Sequence, residues 1–171
     1  MKALVVYFSR VGENSVGGKI EVIRKGYTEI VAEKIAKYAN AELYQLVPEN
    51  EYPYDYANCV RRAREESEEN TKVPFKNPKE NLDDYDVIFV GFPNWYRSYP
   101  RIVATFLAKY SFVGKVVAPF CTNEEGAFGI GESELRFQVK GAIIKNGFAC
   151  RGYDAEGCDQ ALVEWLKKVL E

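Results

Sequence analysis

The chain has 171 residues, enough for one domain with a full core, a formal net charge of −2 and a pI near 5.5. That balance excludes nucleic acid as the main partner, and no apolar run approaches the ~20 residues of a membrane span. There is no His and no CxxC pair among Cys59, Cys121, Cys150 and Cys158, which removes Ser-His-Asp and Cys-His mechanisms and argues against structural zinc.

The first strand begins after one Lys, which leaves no room for a signal peptide, so a cytoplasmic protein is expected. Ala3-Leu4-Val5-Val6-Tyr7-Phe8 reads as a strand buried on both faces, as at the centre of a parallel sheet. It stops at Ser9-Arg10-Val11-Gly12. The matching helix opens at Gly26-Tyr27-Thr28 and carries Ile30, Val31, Ile35, Ala36 and Tyr38 at helical spacing, with Thr28 expected as its N-cap. A strand, a hydroxyl-bearing loop and a helix N-terminus form an anion site: backbone N–H groups point at the ligand, Ser9 and Thr28 add hydroxyls, and Gly12 and Gly26 let the backbone come close. An ordinary capped βα connection fits the same residues.

Residues 13–25 interrupt that passage. Val16-Gly17-Gly18-Lys19 predicts a tight turn, and Ile20, Val22 and Ile23 a short hairpin arm, read here as a flap over the loop's ligand. Residues 41–46 alternate as an edge strand would. Residues 54–69 predict a solvated helix with Arg61, Arg62 and Arg64 set four residues before Glu65, Glu66 and Glu68.

A second buried strand, Asp86-Val87-Ile88-Phe89-Val90-Gly91-Phe92, runs into Pro93-Asn94-Trp95-Tyr96-Arg97-Ser98-Tyr99-Pro100. Pro100 suits the first turn of a helix whose buried stripe is Ile102, Val103, Phe106, Leu107 and Tyr110. A third, Lys115-Val116-Val117-Ala118-Pro119-Phe120-Cys121, ends at Thr122-Asn123-Glu124-Glu125-Gly126. A helix over 132–145, with Leu135, Val139 and Ile143 on one face, a strand over 148–151 and a helix over 159–170 complete the chain. Cys121 and Cys150 end apolar runs and read as buried thiols rather than a redox pair.

This alternation predicts a single α/β domain over 1–171, a three-layer, doubly wound fold on a five-stranded parallel sheet. For its five strands the order 2-1-3-4-5 is the expectation taken here, not one that alternation dictates. Ligands of such sheets bind beyond the carboxyl ends of the strands. That order makes neighbours of the loops at 9–12 with 26–28, 93–99 and 122–129. The first offers anion donors, and Trp95 and Tyr96 offer ring faces. A planar ligand with a phosphate tail fits all three loops, and flavin mononucleotide (FMN) is the natural candidate.

Tyr7-Phe8-Ser9-Arg10…Gly26-Tyr27-Thr28, Pro93-Asn94-Trp95-Tyr96 and Phe120-Cys121-Thr122-Asn123-Glu124 together resemble the flavodoxin family. More narrowly, they resemble a flavodoxin-like group whose phosphate loop is split by an insertion, and the likeness covers essentially the whole chain. It implies non-covalent FMN, with Ser9, Arg10, Gly26, Tyr27 and Thr28 around the phosphate. Pro93, Asn94, Trp95 and Tyr96 would lie against the isoalloxazine and ribityl, and Thr122, Asn123 and Gly126 along the ring edge.

The chain departs from the pattern at two places. Arg97 stands where similar sequences usually have Gly, whose flexible peptide can turn its carbonyl toward the flavin N5–H. With a Cβ, Arg97 is expected to avoid φ > 0, and its cation to stabilise an anionic reduced flavin instead. Asn123 stands where the group often has His. The resemblance implies a soluble electron carrier serving a redox partner protein or a small-molecule acceptor, with a partner surface expected at Tyr99 and Phe128. The alternative is an NAD(P)H-dependent quinone or small-molecule reductase, for which no second glycine-rich nucleotide motif is present. A receiver-type signalling module is excluded, because the strand ends carry Ser9-Arg10 and Pro93-Asn94 rather than an acidic cluster.

Overall fold

The computed structural model describes residues 1–171. β1 (Ala3–Tyr7) is buried throughout. A two-stranded excursion follows, β2 (Gly12–Val16) paired antiparallel to β3 (Lys19–Ile23), and then α1 (Tyr27–Ala39) and β4 (Glu42–Gln45). α2 (Tyr56–Glu68) is capped by the Asp55 carboxylate, which accepts from Asn58 N–H at 2.9 Å. Then come β5 (Val87–Pro93), α3 (Arg101–Lys109), β6 (Val116–Asn123), α4 (Gly131–Gln138), β7 (Ile143–Ile144), β8 (Phe148–Arg151), a 3₁₀ turn over Gly152–Gly157 and α5 (Asp159–Leu170).

The main sheet is parallel and runs β4-β1-β5-β6, with β7 and β8 both pairing β6 at the far edge. Counting only its strands, this is the expected 2-1-3-4-5 order. The fifth place is shared by two short segments, separated by residues 145–147, which lie in neither strand. Val5 pairs with Leu43 on one side and Phe89 on the other, so β1 lies inside the sheet and its carboxyl end is flanked by those of its neighbours.

Alternation along β1 divides two cores. Leu4, Val6 and Phe8 face Ile102, Phe106 and Leu107 of α3 and Leu135 of α4. Ala3, Val5 and Tyr7 face Ile30, Val31 and Ile35 of α1 and Leu162, Trp165 and Leu166 of α5. Side chains two residues apart share a face, so each helical layer takes every other residue.

Three local expectations are corrected. The helix expected over 132–145 ends at Gln138, because the chain turns at Gly141 (φ +81°) and Ile143 becomes an exposed edge-strand residue rather than a core one. Thr28 is not the N-cap of α1. Gly26 holds that place with extended backbone, and Thr28 lies inside the first turn. The arginine–glutamate face of α2 is not uniformly solvated: Glu66 is buried, taking Arg62 Nε at 2.9 Å and the Tyr52 hydroxyl at 2.5 Å, whereas Arg64–Glu68 is exposed.

Candidate functional site: a roofed cleft at the carboxyl edge of the sheet

The cleft opens where β1, β5 and β6 end. Its floor is Ser9 and Arg10 after β1, Tyr27 and Thr28 in the first turn of α1, and Thr122 at the end of β6. One wall is Pro93, Asn94 and Trp95; the opposite one is Asn123, Glu124 and Gly152. Asn14, Ser15 and Ile23 of the β2–β3 hairpin and Tyr56 of α2 close it from outside.

Its anion end is built from local chemistry. The Ser9 hydroxyl accepts from Glu29 N–H at 3.2 Å, so the cap that Thr28 does not provide comes from β1's own loop. Gly26 makes this possible: a Cβ there would land on the Ser9 hydroxyl and within 2.9 Å of the Arg10 carbonyl oxygen. The Thr28 and Thr122 hydroxyls, both buried, lie 2.8 Å apart. One proton joins the two oxygens, and the other hydroxyl proton is left for an acceptor in the cleft. Burial, and the nearby Glu21 and Glu124 carboxylates, push the Tyr27 phenol up, so it remains a neutral donor.

Arg10 is held by the chain rather than by an acid. Its terminal nitrogens donate to the carbonyls of Glu13 (2.5 Å), Pro53 (2.8 Å) and Tyr54 (2.8 Å). Its Nε is the only buried side-chain polar atom without a partner in the structure. An uncompensated guanidinium beside two hydroxyls and a helix N-terminus suits a phosphate dianion. The residues present therefore fit the phosphate of FMN.

Trp95 supplies the aromatic wall. It stands edge-on to Phe8 (5.3 Å) and Tyr52 (5.0 Å), and Tyr52 is itself clamped between the Arg62 guanidinium, 4.1 Å from its ring, and Glu66. The amides of Asn94 and Asn123 both donate to Ala127 O at 2.9 Å, which ties the two ring-side loops together.

Of the residues expected at the site, the structure brings Ser9, Arg10, Tyr27, Thr28, Pro93, Asn94, Trp95, Thr122 and Asn123 to the cleft. Gly12 instead packs on Tyr54, Gly26 supports Ser9 from behind, and Gly126 backs onto Cys150 and Arg151. Tyr96 points away, exposed, and donates to Val60 O at 3.0 Å. Arg97 is exposed and lines nothing in the cleft. The expectation that its Cβ would exclude positive φ is overturned: Tyr96 (φ +52°) and Arg97 (φ +66°) are both left-handed. They are the central pair of a two-residue turn closed by Trp95 N–H to Ser98 O (2.8 Å) and Ser98 N–H to Trp95 O (3.1 Å), and that turn geometry requires positive φ at both positions. Tyr99 and Phe128 do not form an outer surface either; each is half-buried, edge-on to Phe92.

Sequence reasoning did not select Asn14, Ser15, Ile23, Tyr56, Glu124 or Gly152. Glu124 ends the Phe120-Cys121-Thr122-Asn123-Glu124 stretch, but an acid beside an anion site gives no signal until its partners are seen: both its oxygens are occupied by the hairpin turn, Gly17 N–H at 3.2 Å and Gly18 N–H at 3.1 Å. All four thiols are free. Cys59, Cys121 and Cys158 are buried and Cys150 half-buried, with burial pushing the Cys121 thiol up to about 12.

A family model described as flavodoxin matches residues 2–169. Among solved structures, a flavoprotein of Bacteroides eggerthii DSM 20697 is 27% identical, with a TM-score of 0.75 over 99% of this chain and 98% of that one. A flavoprotein of Bacteroides uniformis ATCC 8492 is 25% identical, with a TM-score of 0.73 over 98% of each chain. A flavoprotein of Lactobacillus acidophilus NCFM in complex with FMN shares the fold at 22% identity, with a TM-score of 0.60 over 96% of this chain and 98% of that one. No protein of curated description matches the chain.

Proposed function

Since the chain belongs to the flavodoxin family, we propose that it is a redox protein that passes electrons to or from a partner through non-covalently bound FMN. The observation that carries this reading is the cleft in which Arg10, the Thr28–Thr122 hydroxyl pair and the α1 N-terminus meet the Trp95 wall. FMN, when bound, supplies the electron chemistry. The chain's residues bind and orient: Ser9, Arg10, Thr28 and Thr122 hold the phosphate end, and Trp95 and the Asn94–Ala127–Asn123 bridge fix the ring end. The chain has no imidazole with which to relay protons to the flavin.

A second reading, an NAD(P)H-dependent quinone or small-molecule reductase, is favoured by one feature. Behind Trp95 lies a cavity of about 270 Å³, lined by Cys59, Val60 and Ala63 of α2 and by Tyr96, which shares Arg10, Asn94 and Trp95 with the cleft. An aromatic-walled space beside a flavin cleft suits a small acceptor.

The experiment is an absorbance spectrum of the purified protein, and of protein incubated with FMN, followed through anaerobic dithionite titration. Bound flavin reduced in two one-electron phases supports the carrier. Direct two-electron reduction, reproduced by NADPH with turnover of a quinone, supports the reductase. Absence of bound flavin in both samples overturns both.

A further inference from the structure

The hairpin that splits the phosphate loop leaves the chain at the anion end of the cleft, between Arg10 and Gly26, and becomes its roof. Its base is fixed several times over. Glu13 N–H donates to Tyr54 O (3.0 Å), Tyr56 N–H donates to the Glu13 carboxylate (2.9 Å), and Arg10 donates to Glu13 O. Its tip is fixed once. Gly17 (φ +59°) and Gly18 (φ +79°) form a two-residue turn that only glycines adopt without strain, and its successive N–H groups make a small anion nest. Glu124, at the end of β6 on the far side of the cleft, fills that nest with both carboxylate oxygens. No other residue outside the hairpin hydrogen-bonds to the turn, and residues 19–22 are exposed, so the outer half of the roof rests on this one side chain.

We propose that the hairpin latched by Glu124 is the specificity element of the cleft. Closed across the anion end, it admits a flavin that ends in a phosphate monoester and shuts out one continued beyond it, as FAD is, by a second phosphate and a nucleoside. This rests on the flavin reading of the cleft. With the phosphate held by Ser9, Thr28 and the α1 N-terminus, a continuation beyond it would compete with the hairpin, whose Ser15 and Ile23 line the same cleft. The latch is two charge-assisted bonds to an exposed acid, strong enough to favour closure and weak enough to open for loading. Glu124 is a positioning residue: its oxygens are spent on the roof.

The test compares wild type, Glu124→Ala, Glu124→Gln and Glu125→Ala, titrated with FMN, FAD and riboflavin by flavin fluorescence, with FMN release timed after dilution. Glu125 is the exposed neighbour with no bond to the hairpin, so its variant removes the same charge and leaves the latch. Losing the latch is expected to shrink the FMN-over-FAD preference about tenfold and to speed FMN release about tenfold, the equivalent of about 1.4 kcal/mol. Glu124→Gln, keeping one acceptor oxygen, falls between, and Glu125→Ala matches wild type. The inference is overturned if Glu124→Ala keeps the wild-type preference and release rate, or if Glu125→Ala reproduces its changes, which would make the effect one of charge. Failure of wild type to bind FMN at all overturns the function above instead.

Discussion

The hydroxyls of Thr28 and Thr122, 94 residues apart in the chain, meet at 2.8 Å in the floor of the cleft. The contact joins the first turn of α1 to the end of β6 and leaves one hydroxyl proton for a ligand. Thr122→Val keeps the shape and removes that proton and the Thr28 partner together. We expect a loss of about 1 kcal/mol in stability by urea unfolding, the usual cost of a buried hydroxyl left unpaired. FMN affinity should fall on the order of tenfold, since about 1.4 kcal/mol separates each decade. Unchanged affinity would place the phosphate elsewhere.

Gly26→Ala tests the close approach behind Ser9. The new Cβ meets the Ser9 hydroxyl and the Arg10 carbonyl, so the loop must shift and α1 loses its cap from Ser9. The expected cost is ~2 kcal/mol, within the range for overpacking, together with loss of FMN quenching. Adding Ser9→Gly should recover part of the stability, because the clashing hydroxyl is gone, but not the binding, because the Arg10 carbonyl still obstructs and a polar group of the site is lost.

Arg97 carries a left-handed backbone with a side chain that makes no hydrogen bond or ion pair. A Cβ in that conformation costs ~1–2 kcal/mol, and glycine returns ~0.5–1 kcal/mol of that as unfolded-state freedom. Arg97→Gly is therefore expected to stabilise the protein by roughly 0.5–1 kcal/mol, read as a rise in the thermal midpoint. Arg97→Val should lower it. A fall on Arg97→Gly would mean that the side chain does work in the folded protein.

Burial holds the Tyr7 and Tyr99 phenols neutral, pushing each up to about 12, with the Glu29 carboxylate adding to the effect at Tyr7 and Glu134 at Tyr99. A phenol in the unfolded chain ionises near pH ~10. Because the folded-state values are raised, their contribution to stability is complete below that pH and is lost as pH climbs from about 10 through about 12. Tyrosinate absorbance followed alongside circular dichroism should show the exposed phenols titrating first and the last ones only as the dichroism collapses. Tyr7→Phe should flatten the alkaline loss; an identical alkaline midpoint would show that Tyr7 does not drive it.

The strands and the outer helices were legible because burial leaves a period. Leu4, Val6 and Phe8 separate from Ala3, Val5 and Tyr7, and Leu162, Trp165, Leu166 and Val169 fall on one face of α5, so the spacing of apolar residues alone places them. The 132–145 segment misled because its apolar spacing continues past Val139 at helical intervals, while pairing to β6 draws Ile143 into an edge strand; spacing records a preference, and sheet pairing overrides it. Tyr96 and Arg97 misled for a related reason. Residue type sets what a left-handed turn costs, but not whether a turn closed by Trp95 and Ser98 offsets that cost.

At the cleft the division is the same. The sequence by itself determined the alternation of strands and helices, the three loops that end the buried strands and the presence of hydroxyls, a guanidinium and Trp95 among them. All of these follow from local pattern and from the rule that places ligands at strand ends. Only the tertiary structure decided that Thr28 answers to Thr122 rather than to its own helix, that Arg10 keeps one nitrogen free, and that Glu124 spends its charge on a hairpin 107 residues away. Each of these is a pairing between groups distant in the chain. A residue's chemistry names the partners it can take, and the folded chain's geometry chooses which of them it meets.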